Sequence, residues 1–422
     1  MERLAGAPGH GSATVTGTNG KTTTTHLLAA IVRAAGMDPL TNPSGSNLER
    51  GLITAYTERV DGSGRLPDAA RQMGLFEVDE AVLPRLFSRL RPRVAVFLNL
   101  FRDQLDRYGE VDSVAEGWSV MLQRAAHAHT LVLNADDPAI ALLAERAHGP
   151  VITFGVDDDA VALTRLDHAS DARFCVCGAR FMYDAIYMGH VGHWRCTSCG
   201  RARVAPTVSA RRVVLHADGA TIEATIAGAP VTIESPLAGL YSVYNALAAA
   251  AAAHALGIDA ATIVSALAQA GPAFGRQEQF AIGERTARLL LAKNPAGLNE
   301  VIRALTAGDA PLSILAMLND GVQDGQDVSW IYDADIEALA GRGVILVCSG
   351  DRADDLALRC VLAGVPPVAV IDDTERALEA ALARTPSGGR LDVVATYTAM
   401  IAVRAALAHR AGVGAYWEAA RG

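Results

Sequence analysis

Between residues 12 and 154, short β-branched apolar stretches alternate with longer stretches of helical period, a rhythm that predicts strands at 13–16, 75–78, 94–98, 131–133 and 151–154. Strands separated by helices imply a parallel α/β sheet. From 174 to 203 the rhythm stops. Two cysteine pairs, glycines and aromatics without helical period predict an inserted ribbon there. Alternation of period two over 211–234, broken by turns at Asp218-Gly219 and 228–230, predicts short strands, and helices are expected at 242–256 and 260–270. Beyond a hinge-like stretch at 271–275 a second α/β alternation begins, with strands at 287–291, 313–318, 344–348, 368–371 and 393–395 and a helix at 354–363. The expected organisation is a parallel-sheet domain over 1–273 interrupted by an insertion at 172–205, then a smaller Rossmann-like α/β domain over 278–422.

Composition narrows the function. With 422 residues, half of them apolar, the chain can bury two or three cores. A net charge of -9 argues against a nucleic-acid footprint, so a polyanionic ligand must be met locally. No stretch has the order of a secretory signal and the longest apolar run, 246–256, is too short to span a bilayer, which predicts a cytoplasmic chain without a transmembrane segment. The positive charges are almost all arginine: of 37 Lys plus Arg only Lys21 and Lys293 are lysine. A compact point charge is kept where a planar guanidinium would not serve.

Thr14-Val15-Thr16 runs into Gly17-Thr18-Asn19-Gly20-Lys21-Thr22 and then a helical pattern, the strand, glycine loop and helix order of a phosphate cradle. Val15 stands where the strict motif has its first glycine. In such a cradle Lys21 neutralises phosphate charge and the Thr22 hydroxyl ligates Mg²⁺. Glu77, at the end of a parallel strand, faces the crevice where ligands bind. Cys175 and Cys177, then Cys196 and Cys199, form two knuckles suited to one structural Zn²⁺ held by four thiolates. The first knuckle is one residue short, which leaves His190 or His193 as a substitute ligand. Cys348 reads as a buried core thiol.

The loop Gly17 to Thr23 resembles the ATP loop of the Mur ligases and folylpolyglutamate synthases. Later strings resemble that family in order: Asn99-Leu100-Phe101-Arg102-Asp103-Gln104-Leu105-Asp106, Asn134-Ala135-Asp136-Asp137-Pro138, Tyr244-Asn245-Ala246-Leu247 and Gly275-Arg276-Gln277-Glu278. The resemblance implies a Mur ligase central domain in which ATP is held by Gly17, Thr18, Asn19, Gly20, Lys21 and Thr22, with Asn134, Asp136, Asn245 and Arg276. It also implies Mg²⁺ on Thr22 and Glu77, and weakly on Gln104, which stands where amino-acid-adding members commonly have histidine. Those members carry a carbamylated lysine as well, and no lysine lies between Lys21 and Lys293 here.

Within that family, the inserted ribbon and the strings Lys293-Asn294-Pro295, Leu318-Asn319-Asp320, Asp327-Val328-Ser329-Trp330, Ser349-Gly350-Asp351-Arg352 and Thr396-Tyr397-Thr398 resemble the MurT subunits of lipid II isoglutaminyl synthase. What this implies is ATP-dependent amidation of the D-glutamate α-carboxylate in the lipid II stem peptide, through an acyl phosphate, at the inner face of the membrane. Ammonia would come from a glutaminase-like GatD subunit bound in a heterodimer or larger complex, whose histidine is oriented by a donated carboxylate. Among the acidic residues of 320–335, Asp327 is the expected donor, and Asp333 is expected to cap a helix. Lys293 is expected to approach the phosphate or the carboxylate across a domain cleft. The competing expectation is a ligase that joins an amino acid to its carboxylate substrate.

Overall fold

The computed structural model describes residues 5–42, 46–102, 111–164, 171–308 and 310–414. They fall into two compact units that divide at Gly271 and Pro272.

The first unit is built on a nine-stranded sheet in the order β11-β10-β9-β6-β5-β4-β1-β3-β2. Its strands are β1 (Ser12–Thr16), β2 (Asp38–Thr41), β3 (Gln72–Glu77), β4 (Val94–Phe97), β5 (Thr130–Asn134) and β6 (Val151–Val156), with β9 (Val208–His216), β10 (Gly219–Ile226) and β11 (Ala229–Ser235). Strands β1 to β6 pair in parallel, and β9 to β11 form the antiparallel meander expected from the period-two pattern. All five residues of β1 are buried, because helices cover both faces of a parallel sheet. β2 escapes the sequence pattern. It is four residues long, contains Pro39 and lies at the end of the sheet, the position where a proline costs no ladder hydrogen bond.

Strand order sets the site. β2 and β3 lie on one side of β1 while β4, β5 and β6 lie on the other, so successive crossovers leave β1 in opposite directions and open a crevice beyond its carboxyl end. The ends of β3, β1 and β4 border it. In register, Val15 is paired with Glu77 and Thr16 with Phe97.

The insertion forms a hairpin of β7 (Phe181–Met188) and β8 (Val191–Cys196) beside the main sheet. Two strands alone are marginal in water, and this pair is fastened elsewhere. Trp194 Nε1 donates to the Ala135 carbonyl at 3.0 Å, and the Gly192 amide to that of Asp136 at 2.8 Å.

The second unit has a six-stranded sheet in the order β12-β13-β17-β14-β15-β16. These are β12 (Glu278–Ile282), β13 (Arg285–Leu291), β14 (Ser313–Met317), β15 (Ile345–Ser349), β16 (Ala369–Val370) and β17 (Arg390–Ala395); only β12 runs antiparallel. Separate apolar clusters fill its two faces, one around Leu298, Ile302, Leu346 and Leu356, the other around Leu378, Leu391, Met400 and Leu407. Cys348 lies in the first, fully buried against Cys360, and its thiol is pushed up by that contact and by burial. It is the core thiol anticipated from the sequence.

Candidate nucleotide site and cysteine cluster

The phosphate loop leaves β1 and enters the helix Lys21–Ala34 without a side-chain cap, which leaves its first amides available to an anion. Two glycines permit this path. Gly17 adopts φ +133° with its α-carbon so close to Asn99 that a Cβ would stand 2.8 Å from that carbonyl, and Gly20 adopts φ +90° against Asn245. Asn99 splints the loop from the end of β4. Its Oδ1 accepts from the Asn19 amide at 2.9 Å, its Nδ2 donates to the Asn19 carbonyl at 3.0 Å and its own carbonyl takes the Thr18 amide at 3.0 Å. The Thr18 hydroxyl donates to the Phe101 carbonyl and accepts from the Phe101 amide, both at 3.0 Å.

Two buried carboxylates meet the start of this helix. Glu77 Oε2 accepts from the Thr22 hydroxyl at 2.8 Å, and Asn42 brackets the Glu77 backbone by exchanging two hydrogen bonds of 3.0 Å with it. A hydroxyl and a carboxylate oxygen this close are a donor set that could hold a hard divalent cation. Glu80 was not singled out in the sequence. Its Oε2 lies 2.8 Å from Lys21 Nζ, which also donates to the carbonyls of Gly17 at 2.6 Å and Thr18 at 3.2 Å. Gln104 lies outside the described residues.

Asn245 reaches the loop from the long alanine-rich helix Leu240–Ala255, where its Oδ1 accepts from the Thr24 hydroxyl at 3.3 Å. Asn134 and Asp136 turn inward instead. Asn134 Nδ2 donates to the Leu98 carbonyl at 2.9 Å, tying β5 to β4. Asp136 is wholly buried and accepts from Arg203 Nε at 2.5 Å, Tyr244 Oη at 2.7 Å and the Val156 amide at 2.8 Å. Burial raises its carboxyl, and the Arg203 charge and the hydrogen bonds pull it back. With both oxygens engaged and no exposed surface, this carboxylate is a clasp between the sheet and the insertion.

Neighbouring Asp137 strengthens the clasp. It caps the turn Pro138–Ala141, takes the Leu100 amide at 2.9 Å and lies 3.4 Å from His190, whose ring packs on Phe101. His193 is bound to the Val156 carbonyl at 2.9 Å and lies 3.5 Å from Asp157. Neither histidine substitutes for a cysteine as metal ligand. The four cysteine sulfurs all lie within 4.8 Å of one another, with Cys175 3.6 Å from Cys199 and Cys177 3.5 Å from Cys196. The edge of a tetrahedral zinc-thiolate site is about 3.8 Å, so the four sulfurs fit such an ion. The short first knuckle suffices because the chain turns tightly after it: the Gly178 amide closes on the Cys175 carbonyl at 2.8 Å with φ +86° at Gly178. The amide and guanidinium of Arg201 lower the Cys199 thiol to about 6, and burial pushes Cys175 up to about 12.

In the second unit the family-like strings gather at the carboxyl edge of the sheet. The Asn319 amide donates to Thr396 Oγ1 at 3.0 Å, Asn319 Nδ2 to Thr398 Oγ1 at 3.0 Å, and Asn319 Oδ1 accepts the Asp351 amide at 3.0 Å. Gly350 fits only because it lacks a Cβ, which would lie 2.4 Å from the Leu318 carbonyl. Lys293 follows β13 on this edge and is half-buried, just before Asn294, which caps the helix Pro295–Leu305. Arg276 Nη1 donates to the Phe274 carbonyl at 3.3 Å, and Glu278 anchors its motif through Arg404 at 2.8 Å. Of the acidic residues, Asp324 is buried on Thr398 and Asp320 pairs with Arg352 at 3.0 Å. Asp327 is exposed and caps the short helix Val328–Asp333 through the Ser329 amide at 2.9 Å, whereas the helix after Asp333, Ile336–Leu339, has Asp335 at its N-cap position in place of the expected Asp333. The bonds to Ser329 lower the Asp327 carboxyl. Leu358, Val361 and Leu362 are exposed on the helix Ala353–Leu362, as is Tyr332, over which Arg359 lies at 5.8 Å.

The sheet order and the loop define a phosphate-loop α/β domain, and comparison with known proteins makes it an ATP-dependent ligase of the Mur ligase type. Residues 15–178 match the Mur ligase middle domain family and residues 291–400 the MurT ligase C-terminal family. The chain is 30% identical over 406 residues to the MurT subunit of lipid II isoglutaminyl synthase of Streptococcus pneumoniae, covering 94% of this chain and 87% of that protein. It is 30% identical over 366 residues to the MurT subunit of Staphylococcus aureus strain COL, covering 86% and 80%. The solved structure of a pseudomurein peptide ligase type C from Methanothermus fervidus superposes with a TM-score of 0.69 at 23% identity, over 93% of this chain and 77% of that one. The chain belongs to the family of MurT subunits. Mur ligases use ATP and Mg²⁺, and MurT proteins are subunits of a larger complex. No helix among the described residues is long and apolar enough to cross a membrane.

Proposed function

We propose that this chain is the synthetase subunit of a lipid II isoglutaminyl synthase, which amidates the α-carboxylate of D-glutamate in the stem peptide. A carboxylate is a poor electrophile with no leaving group, and phosphorylation by ATP supplies one. Lys21 and the open amides of the helix Lys21–Ala34 stabilise charge moving onto the transferred phosphoryl group. Thr22 and Glu77 would hold Mg²⁺, which supplies Lewis-acid assistance when bound. Gly17 to Thr22 cradle the phosphates, Asn245 supports the loop from below, and Arg276 contacts nucleotide as in the resembled family. Lys293 supplies positive charge to the phosphate or the substrate carboxylate, as expected from its string. Ammonia then displaces phosphate from the acyl phosphate to give D-isoglutamine. Cys175, Cys177, Cys196 and Cys199 hold a structural Zn²⁺.

Ammonia comes from a glutaminase-like GatD partner, and Asp327 orients the histidine of that partner. Asp327 is the exposed carboxylate of its segment, while Asp324 and Asp320 are engaged within the fold. The exposed apolar face of Leu358, Val361 and Leu362, with Tyr332 beside it, offers a docking surface on the same unit. Because the substrate is lipid-linked, the complex works at the inner membrane face. The observation that carries the reading is the cradle at the sheet crevice, with Lys21 and the Thr22–Glu77 pair at its mouth, in a chain of the MurT family.

The test is reconstitution with a GatD-type partner and lipid II. Asp327→Asn should abolish glutamine-dependent amidation and retain amidation driven by added ammonium. Equal glutamine-dependent turnover removes Asp327 from the relay, and absence of ATP consumption by the wild-type complex overturns the function itself.

A further inference from the structure

Strands β1 to β6 run parallel, so their amino ends share one edge of the sheet, opposite the nucleotide crevice. That edge is basic. The segments that turn there, 33–38, 58–71, 91–93 and 124–129, hold seven arginines against Asp38, Glu58, Asp61 and Asp68, in a chain of net charge -9. We propose that this amino edge is a docking surface for an anionic phospholipid bilayer. The choice of partner rests on the lipid-linked substrate proposed above.

The positive charge is available. Arg71, Arg91, Arg93 and Arg124 are exposed, and none of them is ion-paired among the described residues. Of the acidic residues, Asp38 is taken by Arg59 at 3.2 Å, and Asp61 Oδ1 accepts from the amides of Ser63 and Arg65 at 2.9 and 3.0 Å. Backbone bonds hold the arginines abreast. The His10 amide donates to the Gln72 carbonyl, next to Arg71, at 3.1 Å; the Arg93 amide donates to the Ser12 carbonyl at 2.7 Å, and the Arg93 carbonyl accepts from the Thr130 amide at 2.9 Å. Adjacent strands lie about 4.8 Å apart, so these side chains are spread along the edge rather than gathered at one point. Separated guanidinium groups in a row suit a surface of phosphate headgroups.

Helix-dipole compensation accounts for Arg124, at the end of the helix Val111–Arg124, and not for Arg93, which leads into β4. Arg91 closes the helix Leu83–Leu90 in the left-handed conformation, φ +46°, where glycine is the easier residue. A charge is kept there at a conformational cost. The net charge of -9 repels the chain as a whole from an anionic bilayer, so attraction confined to this edge also sets the orientation. The crevice, at the carboxyl ends of the same strands, then faces open solution, where headgroups do not repel an anionic nucleotide. The stem peptide is the part of a lipid-linked substrate that extends away from the surface.

The experiment is sedimentation of the full chain with vesicles of phosphatidylglycerol and phosphatidylcholine in equal parts, against phosphatidylcholine alone. Wild type should bind the mixed vesicles, release them as salt is raised and ignore pure phosphatidylcholine. Arg91→Gln combined with Arg93→Gln should weaken binding by about 25-fold, about fivefold for each arginine near an anionic surface. Arg91→Lys with Arg93→Lys keeps the charge and should bind like wild type, which separates charge from folding. Unchanged binding in the glutamine variant, or an equal loss in the lysine variant, overturns the proposal. Loss of binding in Phe174→Ser also overturns it, since the contact then lies on the exposed apolar residues of the hairpin. So does arginine-dependent binding to double-stranded DNA in preference to the mixed vesicles. Wild type that amidates lipid II in detergent yet ignores the mixed vesicles defeats this proposal alone, whereas vesicle binding without ATP consumption by the complex defeats the proposed function.

Discussion

Replacing Gly20 by alanine tests how tightly the phosphate loop is built onto the helix beneath it. A Cβ at this position would stand 2.2 Å from Asn245 Oδ1 and 3.4 Å from Leu98 Cδ1. Ordinary carbon–oxygen contact needs about 3.3 Å, so the amide must retreat by about 1 Å. Asn245 is only 5% exposed and bonded to Thr24, which leaves it little room. Overpacking of this kind costs about 1–3 kcal/mol, and the left-handed backbone of Gly20 adds about 1–2 kcal/mol for any residue with a Cβ. The expected loss for Gly20→Ala is therefore about 2–5 kcal/mol, read by urea unfolding followed by circular dichroism. A double-mutant cycle separates the two costs. Asn245→Ala in the same chain removes the clashing oxygen and should return about 1–3 kcal/mol, while the backbone cost remains. If the two substitutions add within about 0.5 kcal/mol, the steric account of this glycine is wrong.

Two further outcomes follow from the insertion. Wild-type protein should retain close to one zinc per chain after dialysis, and Cys199→Ser should lose it, with a red shift in tryptophan emission as Trp194 leaves its buried site; stoichiometric metal in the variant would count against the four-thiolate site. His193 is raised above its ordinary value, first by its bond to Asp157. Since the folded pKa lies above the unfolded one, near 6.5, this stabilisation is complete below 6.5 and disappears as pH rises through the folded value. Melting temperature should thus fall from pH 6 to pH 8 more steeply in wild type than in His193→Gln, and parallel slopes would refute the linkage.

The phosphate loop was legible because its chemistry is local: glycines, one lysine and a threonine lie within six residues, and the alternation of strands places them. Most strands were legible for the same reason, their apolar runs being dictated by burial on both faces. What escaped is set by long-range contacts. Glu80 meets Lys21 across 59 residues and belongs to no spaced motif. Its only sequence signal was an acidic residue just past the end of a strand, already claimed by Glu77. Asp136 is named through its resemblance to the family's nucleotide-side loop, and nothing local reveals that Arg203 and Tyr244 converge on it. The cap expected at Asp333 falls at Asp335 because the helix that follows, Ile336–Leu339, is too short to display a period that would fix its start.

The clasp at Asp136 limits how the hairpin could have been acquired. Its two strands are fastened mainly at one turn of the host sheet, through the Ala135 and Asp136 carbonyls, the Asp136 carboxylate and the Asp137 side chain, with a second attachment from His193 to the Val156 carbonyl. Such an element is not a transferable module. Moved onto a related scaffold whose turn lacks these acceptors, it would leave Trp194 Nε1 buried without its acceptor and strip Arg203 of its Asp136 contact, so the hairpin depends on that turn for its attachment.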